Sequence, residues 1–145
     1  MRILKAVNNS VLWLFENNSM SAKNLKKEAL KHGINDNRLI FAAQMPVEEH
    51  LNRIKLADLF LDTLPYNAHT TSSDSLRMNV PVLTCIGQSF ASRVAASLLN
   101  SINMSELVTE STEDYENLAL KIFSDNDYFE NIKSKIKENK ILSNL

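Results

Sequence analysis

Glycine is nearly missing from this sequence: 145 residues hold only Gly33 and Gly87, where average usage of about 7% would supply roughly ten. A Walker-type phosphate loop or a GxGxxG fingerprint needs clustered glycines for positive φ and close backbone approach, so both are excluded. Cysteine is scarcer still. Cys85 is the single one, which excludes a disulfide framework, and its place in the apolar run from Pro81 to Ile86 reads as that of a small buried hydrophobe. No apolar stretch approaches 18 residues, and the apolar part of Met1 to Val7 is too short for a signal peptide. Neither sign of charge dominates: 16 basic and 17 acidic residues leave a net charge of −1, against the clustered Lys and Arg of a polyanion binder. No nucleic-acid or membrane partner is expected, and the expected location is the cytoplasm.

What is present is an alternation of short apolar runs with longer amphipathic stretches. The length fits one lobe over residues 1–145, large enough to bury a core without disulfides or metals. Val11 to Phe15, Arg38 to Ala43, Asp58 to Asp62 and Pro81 to Cys85 are near-continuous hydrophobic runs, the pattern of parallel strands buried on both faces. Between them the spacing predicts helices from about Ser21 to His32 (Leu25, Ala29 and Leu30 inward, Gly33 as terminator), from Pro46 to about Ala57, from the His69 region to before Pro81, and from Ser89 to about Asn100. Two further helices, at about 112–140, close the lobe. His32 is expected at helix-terminal carbonyls, and Trp13 and the three tyrosines in the core. Strands alternating with helices imply a Rossmann-like, doubly wound α/β sheet. In such sheets ligands bind beyond the carboxyl ends of the strands, here the loops after Ala43, Asp62 and Ile86.

Three segments near those loops can carry chemistry. His50 and Arg53, one turn apart, flank the apolar stripe Val47, Leu51 and Ile54; an imidazole stacks on a flat base and a guanidinium donates to its carbonyls. Spacing alone favours a Glu49–Arg53 surface ion pair with His50 as an exposed side chain. The second segment is His69-Thr70-Thr71-Ser72-Ser73-Asp74. A helix starting at the threonines aims free N–H groups and its positive end outward, an anion site that needs no glycine, with Asp74 placed to accept from ribose hydroxyls. Thr71 and Asp74 also have the spacing of a capping box. The third runs from Gly87 to Ser97, with Ser89 as an N-cap and Arg93 in an otherwise apolar helix, where burial would call for a carboxylate such as Asp62 or Asp74.

Together these segments resemble the C-terminal catalytic lobe of the O-linked N-acetylglucosamine transferase and SPINDLY-like glycosyltransferase family. The resemblance is carried by Asn9 to Leu14, Arg38 to Phe41, Glu48-Glu49-His50, Leu56 to Asp58, Leu61 to Thr63, Asn67, His69-Thr70-Thr71, Asp74 and Ala91 to Ser97, in the family's order. It implies a lobe of a GT-B enzyme that binds a UDP-sugar and passes the sugar to a Ser or Thr hydroxyl of a protein acceptor without an essential metal or other cofactor. It further implies that His50 stacks on uracil, Arg53 hydrogen-bonds it, Thr70 and Thr71 hold the diphosphate, Asp74 binds the ribose and His69 lines the same site. No residue of this lobe is implied to be catalytic. Val47 stands where animal members have lysine, and Ser72-Ser73 where the family has Gly-Met. The family's partner lobe, often preceded by tetratricopeptide repeats, and a first strand are expected upstream of this stretch, so the chain alone is expected to bind nucleotide weakly and to lack transferase activity. The alternative is a non-catalytic nucleotide-binding or protein-interaction module derived from the lobe. Donor base and sugar, UDP-linked or GDP-linked, are left open.

Overall fold

The computed structural model describes residues 1–16 and 18–143. Strands and helices alternate, and every strand pairing is parallel. The chain divides into two compact units, Met1–Pro46 and Val47–Leu145, each with its own cluster of buried side chains.

The first unit holds α1 (Arg2–Ala6), β1 (Leu12–Phe15), α2 (Ser19–Lys31) and β2 (Leu39–Ala42). β1 and β2 run parallel in register, Leu12 opposite Leu39 through Phe15 opposite Ala42. Their core is small: Leu4, Ala29, Ile34 and Leu39. α1 has no counterpart in the apolar spacing, because five residues are too few to show a helical period. Arg38 ties its end down, donating from Nη2 to Val7 O at 2.7 Å and from Nε to Ser10 O at 2.8 Å. Of the three residues expected inward on α2, only Ala29 is buried; Leu25 and Leu30 are exposed. A two-stranded sheet covers a narrow strip of a helix, and the small side chain sits at its centre. Gly33, at φ 72°, ends α2 as predicted, with its N–H on Leu30 O and the Ile34 N–H on Ala29 O, the paired bonds of a Schellman motif. The His32 side chain does not reach the terminal carbonyls; its Nε2 lies 3.3 Å from Glu28 Oε1 instead.

The second unit holds α3 (Val47–Ile54), β3 (Phe60–Leu61), α4 (Thr70–Arg77), β4 (Val82–Cys85), α5 (Val94–Ser101), β5 (Val108–Thr109), α6 (Thr112–Ser124) and α7 (Asn126–Ser143). Its sheet has the order β3-β4-β5. Only the central strand, β4, is buried along its whole length, as the apolar runs suggested for all four predicted strands; the others have an open edge or face. Cys85 at its end is buried, as expected. β5 was not foreseen: two residues make no run, and β4 supplies the pairing that makes them a strand. The core gathers Leu76 from α4, Val82 from β4, Leu99 from α5, Ile122 from α6, and Ile132 and Ile136 from α7, so the predicted stripes of the two closing helices face inward. α7 is also tied to the far end of α4, where Lys140 Nζ donates to Arg77 O and Asn79 Oδ1, both at 2.6 Å. Among the described residues no helix is long and apolar enough to cross a membrane.

Candidate functional site

The site is built at the carboxyl ends of β3 and β4. Asp62 follows β3 directly and is buried, a costly position for a carboxyl group unless donors surround it. They do: Oδ1 accepts from Thr63 N at 2.9 Å and Ala68 N at 2.7 Å, and Oδ2 accepts from Thr84 Oγ1 at 2.6 Å. One carboxyl group thereby pins both ends of loop 63–68 to the neighbouring strand. Thr84 O in turn accepts from Thr109 Oγ1, so the polar chain crosses all three strands. Tyr115 on α6 donates its hydroxyl to Asp62 O at 2.9 Å. Burial, reinforced by the nearby Asp62 and Cys85, pushes the Tyr115 phenol well above its ordinary range, so it stays protonated and keeps that bond.

The loop, with a cis bond between Leu64 and Pro65, delivers the chain to α4. His69 is the N-cap, and no side chain caps the helix. Thr71 lies inside the first turn rather than before it, so the capping-box alternative with Asp74 is not realised. The first intrahelical bond from this end is Ser73 N to His69 O, which leaves the N–H groups of Thr70, Thr71 and Ser72 ahead of the ladder. Thr70 and Thr71 border a cavity of about 550 Å³ lined also by Asp62, Tyr66, Asn67 and His69, among others; Ser72 is buried outside it. Both threonines are exposed and His69 is half-buried. Asp74, one turn further in, is half-buried and lies outside that lining.

His50 and Arg53 sit together on α3, both half-buried. Arg53 Nη2 lies 3.0 Å from His50 Nδ1; a guanidinium only donates, so Nδ1 accepts and the ring proton is on Nε2. The two are joined, and α3 packs against α4, yet neither lines the cavity. Val47, expected on the inward stripe, is exposed, whereas Ile54 is buried.

The third segment is structural. Ser89 caps a short 3₁₀ turn, Phe90–Ser92, in a reciprocal capping box with Ser92. A Cβ on Gly87 would fall 2.6 Å from Ser92 Cβ, and the Gly87 N–H donates to Ser92 O at 2.9 Å. Gly87 therefore admits its own loop rather than a ligand. Arg93 is exposed and needs no buried carboxylate; Asp62 serves the loop instead. Tyr66 departs furthest from expectation. It is 66% exposed, outside the core, with its ring stacked on His69 at 5.1 Å and 17°. The missed residues, Asp62 as an anchor and Tyr66 as a wall, had one signal: an acid directly after a buried apolar run, followed by Pro and an aromatic before the threonines.

The sequence profile of Glycosyl transferase family 41 matches residues 1–145. The chain belongs to glycosyl transferase family 41. Among family members, the UDP-N-acetylglucosamine–peptide N-acetylglucosaminyltransferase of Caenorhabditis elegans is 34% identical over 136 residues, 94% of this chain and 12% of that protein. A probable enzyme of the same name, SEC of Arabidopsis thaliana, is 35% identical over 83% of the chain and 12% of its own length. A mutant of the O-GlcNAc transferase of Thermobaculum terrenum superposes with a TM-score of 0.91 at 29% identity, covering 98% of this chain and 28% of that one. The family 41 chain thus has the α/β fold of the corresponding part of a GT-B transferase and spans about an eighth of the length of these curated relatives. Among its described residues no group of three or more His, Cys, Asp or Glu is placed to hold a metal ion.

Proposed function

We propose that this chain is the nucleotide-sugar-binding lobe of a protein O-glycosyltransferase, with a UDP-sugar as donor and a Ser or Thr hydroxyl of a protein as acceptor. The observation that carries the reading is the uncapped N-terminus of α4 opening on a cavity lined by Thr70 and Thr71. Free N–H groups, the positive helix end and two hydroxyls form a site for a diphosphate. Charge grows on the diphosphate as the sugar leaves, and donors already aimed there stabilise that state without reorganising. Metal is then unnecessary for this part of the reaction. His50 and Arg53 supply a ring face and a donor for uracil, Asp74 accepts from the ribose, and His69 closes the same site. Deprotonation of the acceptor and binding of the protein substrate belong to a partner lobe, so the chain by itself binds nucleotide weakly and does not turn it over.

Thermal unfolding with added nucleotide tests this. A ligand at ten times its Kd raises stability by about 1.4 kcal/mol, a measurable shift in Tm. UDP is expected to raise Tm with increasing concentration, and Thr71→Ala and Asp74→Ala to abolish the shift. A shift that survives both substitutions places nucleotide elsewhere, and turnover of a UDP-sugar by the pure chain contradicts the division of labour between lobes.

A further inference from the structure

The cavity read as a diphosphate site lacks the side chains most often set against phosphate. Among the described residues that line it there is no Lys or Arg, and Asp62 is an acid. Helix N–H groups and threonine hydroxyls supply partial positive charge only. His69 is the single lining residue whose side chain can gain a full positive charge, and imidazole makes that change between about pH 5 and pH 8.

The ring is held in a way that suits both states. It stacks on Tyr66, with centroids 5.1 Å apart at 17°, and meets Phe90 edge-to-face at 6.3 Å and 89°. An aromatic face attracts a cation as well as it stacks on a neutral ring, so gaining a proton does not require the ring to move. His69 Nε2 is buried with no hydrogen-bond partner. A proton there finds no acceptor on the protein, whereas a phosphate oxygen supplies an acceptor and negative charge together.

The charged groups nearby do not set the direction of the effect. Asp62 lines the same cavity with its carboxyl group already accepting three hydrogen bonds. Asp74 is half-buried one turn along α4, Arg93 beyond Phe90 is exposed, and His50 and Arg53 on α3 lie off the cavity. All of them are present before and after binding; what a ligand adds is the negative charge of its two phosphates, which favours the protonated ring.

We propose that a nucleoside diphosphate sugar entering this cavity draws a proton from solvent onto His69, so that donor binding strengthens as pH falls from 8 to 6. The proton comes from the buffer, forms one N–H bond on the imidazole and returns to the buffer when the ligand leaves. The inference rests on the reading of the cavity as the diphosphate site. It makes donor affinity a function of pH, and it sets an imidazolium beside the group on which charge grows as the sugar departs.

NMR titration of the full chain tests this and tolerates weak binding. The probe is UDP-glucose, whose two phosphates stay ionised throughout, whereas the terminal phosphate of UDP itself titrates at about pH 6. The Kd is expected to be at least twofold lower at pH 6 than at pH 8. At pH 7, saturating UDP-glucose is expected to move the His69 Hε1 signal toward its acid position. His69→Gln, which keeps a planar polar group without the charge, identifies that signal by its loss and is expected to bring the Kd ratio below twofold. A ratio under twofold in the unaltered chain, a ratio that persists in His69→Gln, or a His69 signal that does not move toward the acid position overturns the linkage and leaves the donor site standing. Absence of UDP-glucose binding at both pH values overturns the donor reading and the linkage together.

Discussion

Asp62 does more for the site than any residue that would touch a ligand. Its three accepted hydrogen bonds fasten loop 63–68 to β4, and hydrogen bonds to a carboxylate are each worth about 1.5–3 kcal/mol. Asp62→Ala leaves two backbone N–H groups and a buried hydroxyl without an acceptor, and is expected to lower unfolding free energy by about 3 kcal/mol or more, read as a shift in the urea midpoint. Tyr115 adds a pH dependence. Its folded pKa lies above the ordinary value of 10.0, so above pH 10 the unfolded chain releases a proton that the native state retains, and stability falls as pH rises. Below pH 10 the contribution is complete. Tyr115→Phe removes this term, so its Tm is expected to be lower than that of the unaltered chain at pH 8 by the loss of one hydrogen bond, and the gap to narrow between pH 10 and 11.5. A gap that is constant across that range rules the effect out.

At the scale of elements, the scarcity of glycine has a compensation that composition alone does not reveal. Three helices end in the same way. α2 closes on Gly33, α4 on Asn79 at φ 62° and α5 on Asn103 at φ 53°; in each, the following N–H reaches back to Ala29, Ser75 or Leu99. Asparagine enters the left-handed region at lower cost than other residues with a Cβ, so it stands in for glycine at two of the three ends. Gly33→Ala and Asn103→Ala are each expected to cost about 1 kcal/mol, whereas Asn103→Gly is expected to be neutral within about 0.5 kcal/mol; equal losses in all three would refute the conformational explanation. Gly87 is needed for a different reason. Its φ is unremarkable, but Ser92 fills the space of a side chain, and Gly87→Ala is expected to cost about 1–3 kcal/mol through overpacking. Helix positions were legible because apolar spacing survives in sequence, as in Ile132 and Ile136 of α7. Elements of two to five residues, β5 and α1, carry too little pattern to be read.

Across the molecule, stability is uneven. Among the described residues, the Val47–Leu145 unit encloses nine buried hydrophobic residues in one cluster, while the Met1–Pro46 unit encloses four. Local opening follows such differences. Amides of β4, buried along its length, are expected to exchange with deuterium slowest, and those of β1 and β2 faster; the reverse order would show that the small cluster does not limit opening. The place of Thr70 and Thr71 at a helix start was legible because a hydroxyl-rich helix start is a local feature, and the family motif was legible as a run of residues in order. Arg93 was misread because an apolar neighbourhood in sequence is not a buried one in space. By itself the sequence determined the α/β alternation, the Gly33 terminator and the family, since each depends on neighbours a few residues apart. Only the tertiary structure decided that Asp62 anchors a loop, that Gly87 yields to Ser92, and that Tyr66 stands open over His69. Those outcomes depend on which strand lies beside β3 and on what remains uncovered once β4 is buried, and chain-distant contacts of that kind leave no local pattern.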